Sequence, residues 1–146
     1  MKKLLLSLSL FFSISNASAL TISHVGEQFL GHGVSDLTFE VSSCEAYKNL
    51  VITLKFIGKD NKVLETKQLK TSISEGEFIQ MICIPSSKRI TLNEISNDVL
   101  YETKYIEVSK ITYIDAKGKR KTLDTNYIEP VSYTHLRAHE TRGNLV

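Results

Sequence analysis

Cys44 and Cys83 are the only thiols in this chain of 146 residues, and they stand 39 positions apart. A thiol pair supports three kinds of chemistry. A redox couple expects two cysteines close in sequence, with a helix N-terminus lowering one thiol pKa. A zinc site expects four ligands, which two scattered thiols do not supply. A structural disulfide needs only an oxidising compartment and two segments that meet in the fold. The third is expected here, because both cysteines sit in strand-like stretches of an exported chain. The loop it closes, about 40 residues, gives the bridge a worth of roughly 4 kcal/mol in the chain-entropy treatment.

Other chemistry-bearing residues form no recognisable set. His24, Glu27 and His32 surround a glycine-rich stretch, but their spacing fits no ligand motif, so they are expected to be solvated loop residues. Met81 stands among Phe78, Ile79, Ile82 and Ile84 and is expected to fill core. No serine lies in a nucleophile elbow, no histidine is placed as its base, and no glycine-rich loop cradles phosphate. The acidic residues are scattered. No catalytic residue, cofactor or metal site is therefore expected, and the chain is not expected to be an enzyme. Lys117, Lys119, Arg120 and Lys121 form a basic run near Tyr113 and Tyr127, which is expected to be a charged hairpin tip and edge.

The two ends change the electrostatics. Lys2 and Lys3, the apolar run from Leu4 to Ile14 and Ala17-Ser18-Ala19 have the order of a secretory signal and its cleavage site. Residues 1–19 are expected to be removed, and the apolar run is shorter than the about 20 residues of a membrane span. The predicted cut is followed by Leu20, not by a cysteine that would carry lipid. At the other end, Val131 to Thr141 (VSYTHLRAHET) matches, residue for residue, a translated frame of a common transposase-type sequencing adapter. Residues 131–146 are accordingly expected to be an artefactual, unfolded tail on a gene cut near Pro130. The whole chain has 18 Lys and Arg against 16 Asp and Glu. Setting aside Lys2, Lys3, Arg137, Arg142 and Glu140 leaves 14 against 15, so the apparent charge of +2 becomes −1. Nucleic acid is not expected as a partner on this basis.

The 111 residues from 20 to 130 are one domain by length. Leu50, Ile52, Leu54 and Phe56 alternate with Val51, Thr53, Lys55 and Ile57, which makes a strand with one continuous apolar face. Gly58-Lys59-Asp60-Asn61 turns the chain, and Lys62 to Thr71, with lysines at 62, 67 and 70, returns as an edge strand. Leu20–Val25 and Leu37–Val41 are further strands, with Gly26 to Ser35 expected as a loop between them. Phe78 to Ile84 is densely apolar and is expected to be a central strand buried on both faces, stopped by Pro85. Residues 86–104 are expected to be a long connection with a brief strand and one helical turn. Tyr105 to Ile114 changes parity inside, so a bulge near Ser109-Lys110 is expected to keep Ile106, Val108 and Ile111 inward. About seven strands with frequent turns point to an all-β, immunoglobulin-like antiparallel sandwich, whose last strands are expected to be cut away at the C-terminus.

The stretch from Leu54 to Leu64, followed by Glu75-Gly76-Glu77-Phe78, resembles small bacterial exported sandwich domains of the FxLYD and fibronectin-III-like type. The resemblance covers about 35 residues; the Tyr-Asp pair of that type is replaced by Ile57-Gly58. It implies a binding or accessory module without catalytic residues. The expected function is a non-enzymatic module of the bacterial envelope, periplasmic or secreted, that holds a protein or another envelope component. The alternatives are a small disulfide-braced enzyme inhibitor presenting Gly26–Ser35, or the accessory domain of a larger enzyme.

Overall fold

Alternation of apolar and polar side chains drives almost every element of the computed structural model, which describes residues 20–126, 128 and 130–133. The described elements are β1 (Leu20–Gly31), β2 (Val34–Ser43), β3 (Tyr47–Ile57), a 3-10 turn (Lys59–Asn61), β4 (Val63–Ile73), β5 (Glu77–Ile79), β6 (Ile82–Ile84), β7 (Ser86–Ser96), α1 (Asn97–Glu102), β8 (Tyr105–Ile114) and β9 (Arg120–Leu123). All strand pairs are antiparallel. Two sheets face each other, one in the order β1-β2-β7 and the other in the order β4-β3-β8-β9, while β5 and β6 pair only with each other. Seven strands in two layers form an immunoglobulin-like sandwich, as the alternation predicts.

The core lies where the apolar faces meet. Leu37, Phe39 and Val41 of β2 oppose Leu50, Ile52, Leu54 and Phe56 of β3, all fully buried, with Ile106 and Ile111 of β8 beside them. The β8 bulge falls where expected: Lys110 pairs with Thr53 and Val108 with Leu54, leaving Ser109 unpaired in the ladder. Ser109 Oγ donates to the Thr53 carbonyl at 3.3 Å. The lysine-rich return strand β4 is an edge, also as expected.

Three expectations about the strands fail. Gly26–Ser35 is mostly strand: β1 runs to Gly31, and only the turn through Gly31, His32 and Gly33, all at positive φ, breaks the ladder. Gly26 belongs to a register shift within β1, not to a loop. Residues 86–96 form a full strand against β2 rather than a connection, and α1 follows, capped by Ser96 accepting from the Asp98 N–H at 3.2 Å. The third failure, at Phe78–Ile84, is the most consequential and is described below.

Residues 1–19, expected to be a signal, lie outside the described residues. The sequence-based boundary at Pro130 falls inside packed structure. Val131 exchanges backbone hydrogen bonds with Ile106, at 2.7 and 3.2 Å, and is buried. Tyr133 is also buried and donates to Glu27 Oε1 at 2.6 Å. Residues 134–146 lie outside the described residues.

Candidate functional site

Phe78–Ile84 is not a central strand. It is a separate hairpin, β5–β6, and nearly all of its large apolar side chains face solvent. Met81 at the tip is 97% exposed, Ile82 68% and Phe78 58%; Ile79 and Ile84 are each about half exposed. Phe78 pairs with Cys83, Ile79 with Ile82 and Glu77 with Ile84. Two-residue periodicity therefore puts Phe78 on the disulfide's face and Ile79, Ile82, Ile84 and Glu77 on the opposite one. The turn residues Gln80 and Met81 both have positive φ, 48° and 72°. A two-residue hairpin loop of that kind favours Asn-Gly, so a methionine there holds a strained backbone.

The base of the hairpin is clamped. Cys44, at the bend between β2 and β3, is bonded to Cys83 with the Cα atoms 6.2 Å apart. The disulfide expected from sequence is thus present, but it ties an outlying hairpin to the sandwich instead of pinning two core strands. The Gly76 N–H donates to the Cys44 carbonyl at 2.9 Å, and Ser86 Oγ donates to the Ser74 carbonyl. A Cβ at Gly76 would stand 2.8 Å from the Ile84 carbonyl oxygen and 2.9 Å from Cys83 Sγ. Only glycine fits so close an approach of hairpin, disulfide and strand end.

A cleft of about 810 Å³ adjoins this base, with Glu45, Tyr47, Ser74, Lys88 and Tyr113 among its lining residues. The Tyr47 and Tyr113 rings meet edge to face with centroids 5.0 Å apart. Tyr47 donates its hydroxyl to Glu45 Oε2 at 3.1 Å. Burial, followed by the Glu45 carboxylate, pushes the Tyr47 phenol well above its ordinary range, so it stays protonated. The cleft therefore presents a fixed donor-acceptor pair and an aromatic wall beside the hairpin, with no nucleophile and base in hydrogen-bond contact.

The remaining sequence candidates do not converge. His24 packs against Phe39 and Tyr133, at ring distances of 5.6 and 5.0 Å. Burial lowers its pKa, opposed by a backbone hydrogen bond at Gly26 and by Glu27. Glu27 accepts from Tyr133, and His32 sits in the exposed β1–β2 turn. Among the described residues no three His, Cys, Asp or Glu side chains gather as a metal site. Lys117, Lys119, Arg120 and Lys121 lie in and after the β8–β9 turn, which Asp115 organises by accepting from the Lys117 and Lys119 N–H groups at 2.9 Å each. Sequence reasoning missed the hairpin because its turn carries no glycine, asparagine or aspartate. The usable signal was the spacing: Phe78-Ile79 before Gln80-Met81 and Ile82-Cys83-Ile84 after it allow two short paired strands as well as one long one.

No family model and no curated protein matches the chain. A solved structure does: IrmA from Escherichia coli superposes with a TM-score of 0.57, over 80% of this chain and 93% of that one, at 17% identity. The likeness is one of fold. Among the described residues no helix is long and apolar enough to cross a membrane.

Proposed function

We propose that this chain is a non-catalytic, exported β-sandwich module, periplasmic or secreted, that docks a partner protein through the β5–β6 hairpin. The observation that carries the reading is the hairpin itself: five large apolar side chains in water on an element held by a disulfide and a backbone hydrogen bond. Exposed apolar patches of this kind favour a binding surface, because displacing water from them drives association. Bracing lowers the ordering cost of binding. Exposed Glu75 and Glu77 flank the base of the hairpin, so a partner with an apolar cleft and a basic rim is its complement. The disulfide supports an oxidising compartment. The same rigid wedge also suits an inhibitor entering an enzyme cleft, with the hairpin replacing Gly26–Ser35 as the presented element.

The test is a photo-crosslinking residue at position 81, activated in cells that make the protein, with position 121 on β9 as the control. The expected result is a single protein adduct at 81 and none at 121. No adduct at 81, or the same adducts at both positions, would overturn the reading.

A further inference from the structure

The outward face of the four-stranded sheet is chemically unlike that of its partner sheet. On the three-stranded sheet the polar groups satisfy one another: Arg89 Nε meets Glu40 Oε2 at 3.2 Å, Thr38 meets Thr91 at 3.1 Å, and Ser42 meets Ser87 at 2.7 Å. On the four-stranded sheet, Lys70 of β4, Lys110 of β8 and Arg120 of β9 converge on a shallow groove of about 310 Å³. The Arg89–Glu40 contact is the one ion pair among the described residues, so none of these three cations is neutralised there. No acidic side chain lines the groove. The exposed acid Glu107 is registered opposite Lys55, outside it.

The register explains the convergence. Val51 pairs with Lys70 on one side and Thr112 on the other, and Thr53 pairs with Gln68 and Lys110. Two adjacent rows of the sheet thus carry a cation at opposite ends, separated by strand spacings of about 4.8 Å. Arg120 Nη1 donates to Thr112 Oγ1 at 2.9 Å, which fixes the guanidinium over the sheet and leaves the Thr112 hydroxyl proton to donate elsewhere. Edge protection explains the lysine on β4, while Lys110 lies one residue beyond the β8–β9 ladder, which ends at Ile111 and Leu123. A second groove of about 480 Å³ shares Lys70 and Arg120 and extends the surface to Asn49 and Ser72.

We infer that this face binds an acidic polysaccharide. Three unpaired cations spread across the strands match anionic groups repeated along a polymer, and Thr53, Gln68 and Asn49 offer the mixed donors and acceptors that sugar hydroxyls require. Single-stranded nucleic acid is disfavoured because the groove presents no aromatic side chain on which bases stack. A lipid surface is disfavoured because Val51 is the groove's only aliphatic side chain. The site is separate from the hairpin and independent of it.

The experiment is titration of the full chain with polygalacturonate fragments and dextran sulfate, with neutral dextran and oligothymidylate as rivals, at low and high salt. Binding to both acidic polymers, none to dextran, weaker binding to oligothymidylate and weakening with salt are expected. The triple variant Lys70→Gln, Lys110→Gln, Arg120→Gln should lose about tenfold or more, three exposed charge contacts having gone, while unfolding at the same temperature. Lys110→Glu alone should reproduce part of the loss. Phe78→Ser with Ile82→Ser should leave this binding intact, which separates it from hairpin docking. Absence of binding, unchanged binding in the triple variant, or oligothymidylate binding as tight as the acidic glycans would overturn the inference.

Discussion

Two hairpins of the chain, β3–β4 and β5–β6, each carry an apolar run, and the two runs differ in fate. β3–β4 puts Leu50, Ile52, Leu54 and Phe56 entirely inside the sandwich, and β3 is flanked by β4 and β8. β5–β6 carries an equally apolar run but pairs only with itself, and its side chains stand in water. Alternation decides that a segment is extended; it does not decide whether another sheet is available to cover it. The first hairpin buries its apolar run in the fold, and the second leaves its own exposed.

Stability measurements separate the two most strongly. Phe56→Ala should cost about 3–5 kcal/mol by the usual cost of emptying a core. Phe78→Ala should stay within about 0.5 kcal/mol of the parent, as surface substitutions do. Urea unfolding of both variants checks this, and equal losses would erase the distinction between the hairpins. Next comes the tether. Replacing Cys44 and Cys83 together by serine should remove about 4 kcal/mol in the chain-entropy treatment. It should also raise amide exchange in residues 77–84 more than in β3, read by hydrogen-exchange mass spectrometry. A smaller loss, about 1–3 kcal/mol, is expected for Gly76→Ala, because the added methyl group meets the Ile84 carbonyl and the disulfide at under 3 Å. A melting temperature unchanged from the parent would show that the clamp is loose.

The smallest effect concerns the other end of β1. His24 is held neutral by burial, so its folded pKa lies below the ordinary 6.5. Below pH 6.5 the unfolded chain takes up a proton that the folded chain resists. Stability is then full above that pH and declines as pH falls through it toward the lowered value. Urea midpoints between about pH 8 and pH 5 should show this slope, and His24→Phe should flatten it. The same slope in the variant would assign it to other groups.

Much of the sandwich was legible because local pattern and tertiary environment agree there. The inward face of β3, the edge character of β4, the Ser109 bulge and the Cys44–Cys83 bridge all follow from residue type and spacing. The errors fall where a local signal has two meanings. Gly26 and Gly31–Gly33 suggested one loop, yet the first is a strand irregularity and only the second group is a turn. Gln80-Met81 gives no turn signal because a strained conformation is imposed on residues that do not favour it. The basic groove was out of reach for a different reason: Lys70, Lys110 and Arg120 come from three strands, and only sheet order and the β8 bulge bring them to one face.

Met81 offers the most direct test of the hairpin, since Met1 is the chain's only other methionine and lies in the expected signal. The folded chain, at concentrations where it is monomeric, is treated with dilute peroxide, and sulfoxide at Met81 is followed by peptide mass spectrometry beside free methionine. An exposed tip predicts oxidation at the rate of free methionine, with the unfolding transition unchanged. Strong protection of Met81, released only when the chain unfolds, would contradict it and return residues 78–84 to the core.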